Sequence, residues 1–486
     1  MILNETMYAR AARCERALFE EPSEPDDDRA STAELGAAIL PNAVFRHEVR
    51  YAGLSATVDA VYEKRGRRYA VLFGPGTGVR ARYLDELEFC RYLFAAAGFP
   101  VDFWHVYHID KKYVRGVELD PDALFVVADV SNRLMKRDGV EQRILRYAAL
   151  LAAADPSAAQ PCGKRTACPY CGGATAKDRD DPATLHKAGR LPEKLASDGI
   201  SRISDIPAEY RLSPTQRIQR DAVISRHEHR DYDAISAFLD TIAYPAVLLD
   251  FEAISSAIPP FPGTRPWEHV PFMYVARILA HPPARSAPNG AVVGKPEKWG
   301  VVSPSVCDQQ GVCDQRGVCD QQGVCDQQGV CDQQGVCDRL GFVESLLDAT
   351  AGSGSIVSFG AEFEKRVLRR LAELFPAHAS GLTERVDRTI DLLEPFEAFA
   401  YYHPDQKGKC SLKVVLPLIT DGGYDGLAIS DGGDANAAYR RLLSGRRSGR
   451  PEPDEDDVID ALRRYCRQDV HAMDLILTAL AGSRRV

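Results

Sequence analysis

The sequence lacks long apolar runs, a surplus of basic residues and an apolar N-terminus. No stretch reaches the roughly 18 consecutive apolar residues of a membrane-spanning helix, so we expect no membrane partner. Residues 1–20 are polar and of mixed charge, unlike a secretory signal, which predicts a cytoplasmic location. The formal net charge is −9. Overall charge therefore gives no argument for nucleic-acid binding, although an acidic total is compatible with a local basic groove.

Cysteine is frequent, with 13 residues, of which six belong to one repeat. Without a secretory signal, reduced thiols or metal ligands are expected in preference to disulfides. The seven cysteines outside the repeat are Cys14, Cys90, Cys162, Cys168, Cys171, Cys410 and Cys466.

Residues 306–341 repeat the hexad V-C-D-Q-Q-G six times, almost unchanged. A period of six also occurs in β-solenoids, but at about 18 residues per coil these hexads would give two coils and little core. Regularly spaced thiols would also suit a soft metal. We favour an expanded repeat that forms a surface loop, because its residues are too polar to build a core.

Length and patterning divide the chain into three regions. The 486 residues correspond to two to four domains of about 150 residues. Residues 1–172 mix helix and strand signals, residues 173–240 read as a helical linker, and residues 241–486 begin with a buried strand. We therefore expect an α/β protein with two modules joined by that linker.

Local signals support this division. Residues 57–62 and 68–73 read as strands on either side of a turn at Lys64–Gly66. Residues 84–97 read as a helix. In the linker, Ser213 and Gln216 form a capping box with Pro214 at the first helical position. The linker segment LASDGISRISDIP is similar to helix-hairpin-helix elements that bind phosphates, but a structural role is the better interpretation.

Two carboxylates end the apolar strand in YPAVLLDFEAI. Side chains alternate across a strand, so Asp250 and Glu252 share one face. Neighbouring carboxylates repel each other, and burial increases the cost. A divalent cation removes that cost because hard cations prefer oxygen ligands. A strand end with two solvated acids is the alternative.

Two later helices each place one acid on an apolar stripe. At about 100° per residue, Glu364 falls within the stripe of the helix that follows Gly360, whereas Glu362 points away. Asp469 lies in the stripe of the last helix, with Tyr465 one turn earlier on the same face. An inward acid needs a partner such as a cation. The alternative for Glu364 is stabilisation by the dipole at the helix N-terminus, and the alternative for Asp469 is a salt bridge to a buried arginine.

The ordered set D-x-E, acid, Y-x-x-x-D resembles the tyrosine subtype of the DEDD 3′–5′ exonucleases. The resemblance implies a ribonuclease H-like fold for residues 241–486 and two Mg²⁺ or Mn²⁺ ions. It implies that the ligands are Asp250, Glu252, Glu364 and Asp469, and that Tyr465 orients the attacking water. The family usually has Asp in its second motif, where this chain has Glu364.

Two further residues follow the order of that family. Asp391, in RTIDLLEPF, would end another strand and serve as a reserve metal ligand. Lys413, in KGKCSLKVVLP, would begin the next helix and contact a phosphate, with a solvated lysine as the alternative.

The N-terminal region resembles the RecB-like PD-(D/E)XK nucleases with a four-cysteine cluster. Cys14 stands early in the region, and the trio Cys162, Cys168 and Cys171 closes it. The resemblance implies that these four bind a 4Fe–4S cluster or Zn²⁺. Asp59 would be the first acid of the nuclease core.

The E-x-K motif that should follow Asp59 is missing from this module. Leu72 and Gly74 occupy the positions of its acid and its lysine. We therefore expect a degenerate nuclease module that serves as a scaffold or binds nucleic acid.

Nearly the whole chain outside the hexads resembles the bacterial family catalogued as domain of unknown function 2779. The matching segments are LLDFEAI, FEKRVLRRLAELFP, GKCSLKVVLP and YCRQDVHAM. The combined prediction is a 3′–5′ exonuclease that hydrolyses phosphodiesters of DNA or RNA by a two-metal mechanism. The rival prediction is a catalytically decayed nucleic-acid-binding protein.

Overall fold

The structure is a computed structural model that describes residues 3–19, 27–162, 168, 170, 178–283, 297–301, 339–447 and 454–482. The chain forms two compact units. Unit 1 combines Met1–Ala176 with Ser255–Glu268, and unit 2 combines Lys177–Ile254 with His269–Val486. The helical segment expected as a linker is therefore grouped with unit 2, apart from its first residues. Residues 255–268, expected within the C-terminal module, are grouped with unit 1.

Unit 1 is built around a five-stranded mixed sheet in the order β1-β2-β3-β4-β5. β1, β2 and β3 form an antiparallel meander, β4 runs parallel to β3, and β5 is antiparallel to β4. The strands are β1 (Val44–Tyr51), β2 (Leu54–Lys64), β3 (Arg67–Gly74), β4 (Phe103–Ile109) and β5 (Phe125–Asp129). The expected hairpin is confirmed as β2–β3, and Arg65 and Gly66 both have positive φ, as a type I′ turn requires.

Six helices accompany this sheet in the described part of unit 1. They are α1 (Glu5–Arg13), α2 (Asp27–Ile39), α3 (Ala81–Ala96), α4 (Pro121–Leu124), α5 (Ser131–Met135) and α6 (Val140–Ala153). Helix α3, expected at residues 84–97, is the crossover that lets β4 lie parallel to β3. Its side chains Leu87, Phe89 and Phe94 are fully buried in the core.

Residues 255–268 are tied into unit 1 by hydrogen bonds and by apolar packing. The backbone N–H of Ala257 donates to Asp28 Oδ1 at 2.9 Å. The Arg115 guanidinium donates to the carbonyl oxygens of Pro259 and Pro260 at 3.0 and 2.9 Å. Ala257 also packs in the apolar core beside β3 and β4. The segment is therefore an integral part of unit 1.

Unit 2 contains a second five-stranded sheet in the order β11-β10-β7-β8-β9. β8 is antiparallel to β7 and β9 is antiparallel to β8, whereas β10 runs parallel to β7 and β11 parallel to β10. These strands are β7 (Ala246–Ile254), β8 (Val270–Leu279), β9 (Glu297–Val301), β10 (Ile356–Ser358) and β11 (Thr389–Asp391). A separate two-stranded pair consists of β6 (His229–Arg230) and β12 (Tyr401–Tyr402). The central position of β7 explains its continuous apolar run.

The helices of unit 2 begin with three that precede β7: α7 (Leu191–Ser197), α8 (Pro214–Ser225) and α9 (Tyr232–Asp240). The others are α10 (Arg339–Ala349), α11 (Glu362–Leu374), α12 (Ala379–Asp387), α13 (Glu394–Glu397), α14 (Leu412–Ile419), α15 (Gly432–Arg447) and α16 (Glu455–Gly482). The predicted capping box is confirmed at α8, where Ser213 and Gln216 bond reciprocally. No helix among the described residues has the length and apolar character to cross a membrane.

Residues 306–338 of the hexad insertion lie outside the described residues. Its last three residues, 339–341, do not form a surface loop, because α10 begins at Arg339, whose side chain is buried. The last hexad therefore continues into a helix that packs in unit 2.

We predict that residues 306–338 are dispensable. Their hexads hold too few apolar residues to form a core, so deleting them should change the melting temperature by less than about 2 °C. The deletion 306–341 is the control, because it also removes the first residues of α10 and should lower the melting temperature clearly. Calorimetry on both variants tests this. Loss of folded protein on removing 306–338 would show that the repeat is structural.

Candidate metal centre

Strand β7 supplies the first two carboxylates of the site. Its residues Val247, Leu248 and Leu249 are buried, which fixes the strand in the centre of the sheet. The pleat then directs Asp250 and Glu252 to one face. The pairing register with β8 shifts immediately after Glu252. Such irregularities are common beside functional sites, where they redirect side chains.

Helix α11 supplies the third carboxylate. Glu364 lies in its first turn and is 3 % exposed, whereas Glu362 faces solvent, as the helical periodicity predicts. The Glu364 Oε2 atom is buried and has no hydrogen-bond partner among the described residues. A buried polar atom without a partner is costly, and such atoms mark places where a further ligand is needed.

Helix α16 supplies the fourth carboxylate and the tyrosine. It packs against β7 and β8, and it buries both Asp469 and Tyr465. The structure therefore brings the predicted residues Asp250, Glu252, Tyr465 and Asp469 into one neighbourhood. Glu364 belongs to it as well, because its charge raises the pKa of Asp250 and of Glu252.

Burial raises the pKa of every one of the four carboxylates, and repulsion by the other acids adds to this effect for Asp250 and Glu252. Burial is the largest cause for each. The pKa of Glu252 and that of Glu364 rise to about 8. The pKa of Asp250 lies well above its usual range, because the charges of Asp469, Glu252 and Glu364 add to the effect of burial. The site is thus a concentration of negative charge that the described surroundings offset only in part.

Lys413 and two tyrosines provide that partial compensation. Lys413, in the first turn of α14 as predicted, donates from Nζ to the Tyr465 hydroxyl at 3.1 Å. Its charge lowers the pKa of Glu252 and of Asp469, opposing the effect of burial. The Tyr424 hydroxyl donates to Asp469 Oδ1. Asp469 is therefore held by hydrogen bonds, and no arginine bonds to it in the described part of the chain.

Cys466 lies in the apolar stripe of α16 and is a site residue that the sequence pattern does not predict. Its thiol donates to Asp250 Oδ2 at 3.3 Å. Ligand atoms of Cys466, Asp250 and Glu252 lie within 4.8 Å of one another. Its position three residues before Asp469 was the available signal, because side chains at i and i+3 lie on the same helix face.

A divalent cation fits this set of donors. Hard carboxylate oxygens predominate, and a cation would both relieve their repulsion and give the buried Glu364 Oε2 a partner. Asp250, Glu252 and Cys466 form a group that could hold a metal ion, and the charges of Glu364 and Asp469 act on Asp250.

The reserve ligand Asp391 has a local structural role. Its Oδ1 accepts the backbone N–H groups of Gly360 and Leu393 at 2.8 and 2.9 Å. It thereby joins the ends of β10 and β11, and its charge contributes to the raised pKa of Glu364.

A second candidate metal group lies in unit 1. The sulfur atoms of Cys14, Cys162 and Cys168 lie within 4.8 Å of one another. Cys14 ends α1, and Tyr170 packs against the group. Thiolates bound to one zinc ion at about 2.3 Å would lie about 4 Å apart, which is compatible with this spacing. The predicted fourth ligand, Cys171, lies outside the described residues.

Asp59, the residue predicted as the first acid of a nuclease core, lies beside an arginine in unit 1. Asp59 on β2 accepts the Phe73 N–H at 2.7 Å, and the Arg29 guanidinium lies 3.9 Å away. Arg29 also bonds to the buried Glu86. At the position of the missing lysine, a Cβ on Gly74 would come within 2.6 Å of the Tyr83 ring. The backbone there leaves no room for a side chain.

Comparison with known proteins connects the middle of the chain to one family. Residues 247–411 match the family model "Domain of unknown function (DUF2779)". The chain is similar to this family over the stretch that holds Asp250, Glu252 and Glu364. No curated protein matches the chain. A solved chain titled "Crystal structure of SSO0001" matches at 16 % identity and a TM-score of 0.23, over 35 % of this chain and 82 % of that chain. At that score the likeness carries no argument.

We predict that Glu364→Gln stabilises the metal-free protein at pH 8. The pKa of Glu364 in the folded protein is about 8, above its usual 4.5. Its contribution to stability is therefore fully present below about pH 4.5 and is lost as the pH rises towards 8. Removing the charge should add about 2 kcal/mol to the unfolding free energy at pH 8 and much less at pH 5.

Urea denaturation in EDTA at both pH values measures this effect. Glu362→Gln is the matched control, because its carboxylate is exposed on the same helix. An equal change in stability at pH 5 and pH 8 for Glu364→Gln would show that burial does not raise the pKa of Glu364.

We also predict that Cys14→Ala lowers the metal content of the protein and destabilises unit 1. Cys90→Ala is the control, since Cys90 is equally buried in α3 and loses the same atoms. Elemental analysis for iron and zinc after anaerobic purification, together with calorimetry, distinguishes the two variants. Parent protein that contains neither metal would refute a metal site at these cysteines.

Proposed function

We propose that unit 2 is a metal-dependent nuclease that removes nucleotides from the 3′ end of DNA or RNA. The observation that carries this proposal is the meeting of Asp250, Glu252, Glu364 and Asp469 from β7, α11 and α16, with Tyr465 beside them. The similarity of residues 247–411 to a family of unknown function is compatible with it. The proposal thus depends on the site and not on a relative.

The sheet of unit 2 supports a ribonuclease H-like module. Numbered from β7, its strands lie in the order 3-2-1-4-5, with only the second antiparallel to the rest. A ribonuclease H-like sheet has the same order and directions. Its first strand is central and carries acids, as β7 does here.

Two Mg²⁺ or Mn²⁺ ions, held by the four carboxylates, would activate a water molecule and stabilise the charge that develops on the phosphate. The chain's own residues orient the reactants. Lys413 donates to the Tyr465 hydroxyl, which leaves the tyrosine proton available for a neighbouring oxygen. Tyr424 holds one oxygen of Asp469 and so fixes the direction of the other. In-line positioning of this kind supplies much of the rate enhancement in phosphoryl transfer.

Unit 1 supports a restriction-endonuclease-like, PD-(D/E)XK-type module that has lost its chemistry. Its strand order 1-2-3-4-5, with the second and fifth strands antiparallel to the rest, is that of such a module. The arginine beside Asp59 and the closed position of Gly74 leave no place for the E-x-K pair. We assign it a scaffolding and nucleic-acid-binding role, with iron–sulfur or zinc at its cysteines.

The alternative function is that the protein binds nucleic acid and neither unit cleaves it. Glu364 favours it, because the related exonucleases usually have a shorter Asp at that position. The test therefore has to separate binding from hydrolysis.

We predict that the purified chain shortens 5′-end-labelled single-stranded DNA or RNA stepwise when Mg²⁺ or Mn²⁺ is present. Asp250→Ala should lower the rate about 1000-fold or more, which corresponds to about 4 kcal/mol of transition-state stabilisation. Asp460→Ala is the matched control, since Asp460 is an exposed acid on α16. It should retain the parent rate.

A ladder of products distinguishes cleavage from the 3′ end from internal cutting. Binding in EDTA without any cleavage in Mg²⁺ or Mn²⁺ would favour the non-catalytic alternative. Equal rates for Asp250→Ala and the parent would refute the assignment of the site.

A further inference from the structure

Unit 1 contains a basic cavity that takes no part in the site described above. Its volume is about 610 Å³, within the range of sites that bind small molecules. Three arginines, one tryptophan and the loop between β3 and α3 form its wall. The lining residues are Arg13, Pro75, Gly76, Arg80, Ala81, Arg82 and Trp267.

The loop between β3 and α3 is fixed by its own backbone. Gly76 donates its N–H to the Tyr83 hydroxyl at 2.9 Å, and its carbonyl accepts the Ile109 N–H at 3.0 Å. A Cβ on Gly76 would lie 2.4 Å from Arg80 Nε. Glycine therefore lets the Arg80 side chain pack directly against the loop, so the wall is formed before any ligand arrives.

Trp267 is held in an unusual position at the cavity. It is 37 % exposed and has a φ of +62°, in the left-handed region that a bulky residue rarely adopts. Its indole N–H donates to the Pro75 carbonyl at 2.8 Å, and its backbone N–H donates to the Ser256 carbonyl at 2.8 Å. Strained backbone that presents an aromatic ring to solvent is typical of ligand-binding positions.

The charge of the cavity is positive. Its seven lining residues include three arginines and no acid. The charge of Arg13 lowers the pKa of Asp85, and that of Arg82 lowers the pKa of Glu86. Each of those two acids already bonds to another arginine, Asp85 to Arg137 and Glu86 to Arg29. Positive charge therefore predominates among the lining residues that the structure describes.

We propose that this cavity binds a nucleotide unit of single-stranded nucleic acid. Guanidinium groups suit phosphate because their planar N–H donors match its oxygens. An exposed indole suits a base, since bases stack on aromatic rings irrespective of sequence. The site rests on the nucleic-acid-binding role proposed for unit 1 and is separate from the carboxylates of unit 2, none of which is among its described lining residues. Binding here and hydrolysis there are separately testable.

The experiment measures binding of the full chain to fluorescein-labelled oligo(dT) by anisotropy, in EDTA so that no metal-dependent cleavage takes place. Arg80→Glu should weaken binding about 10-fold or more. Arg80→Gln should weaken it less, since it removes the charge without reversing it. Trp267→Ala should weaken binding about 5-fold, and Trp267→Phe should restore most of the loss, because stacking needs only an aromatic ring.

Arg65→Glu is the matched control, because Arg65 is exposed in the turn at the opposite end of β3. A strand of that length spans about 25 Å, so the control lies well outside the cavity. It should bind like the parent. Melting temperatures equal to that of the parent ensure that each variant is folded.

Competition identifies the source of the ligand. Unlabelled oligo(dT) that displaces the probe, with thymidine monophosphate and inorganic phosphate much weaker, supports binding of a strand. Displacement by the free mononucleotide at equal concentration would overturn the proposal in favour of a nucleotide site. Folded Arg80→Gln and Trp267→Ala variants that bind like the parent would overturn it altogether.

Discussion

Repulsion between buried carboxylates is the constraint on which the organisation of unit 2 depends. β7 carries two acids at the centre of a sheet, and α11 and α16 each bring another to them. Each acid raises the pKa of a neighbour, and Lys413 offsets only part of this effect. Apolar side chains of similar size would make a more stable core. If the site binds metal ions as proposed, this cost in stability is the cost of forming the site in advance.

Unit 1 meets a similar problem in another way. Asp59 and Glu86 are also buried acids, but Arg29 lies between them and supplies a permanent positive charge. An internal guanidinium excludes a metal ion from the same place. Unit 1 thus pairs its two buried acids with an arginine, whereas in the described part of unit 2 Asp469 bonds to Tyr424 and Asp250 to Cys466.

Periodicity predicted much of this site and packing explains the rest. Alternation along β7 identified Asp250 and Glu252, and the helical stripe identified Glu364 and Asp469. Cys466 escaped notice because a thiol in an apolar stripe cannot be told from a core residue by pattern alone. Tyr424 lies in a segment without periodicity, so only the folded chain shows that it reaches Asp469.

The architecture was predictable where the interacting residues are close together in the sequence. The β2–β3 hairpin and the capping box of α8 follow from adjacent residues. The return of residues 255–268 to unit 1 depends on contacts with Asp28 and Arg115, which lie more than a hundred residues away in sequence. No short-range sequence pattern predicts that a segment returns to an earlier unit in this way.

The return of residues 255–268 to unit 1 also affects how the chain folds during synthesis. The peptide passes between the two units at 176–177, 254–255 and 268–269, so no single cut separates them. During synthesis, unit 1 stays incomplete until residue 268 has left the ribosome, by which time β7 of unit 2 has already emerged. Domains usually mature in sequence as they emerge. Here unit 1 can complete its fold only after the first residues of unit 2 have been synthesised, so the folding of the two units overlaps in time.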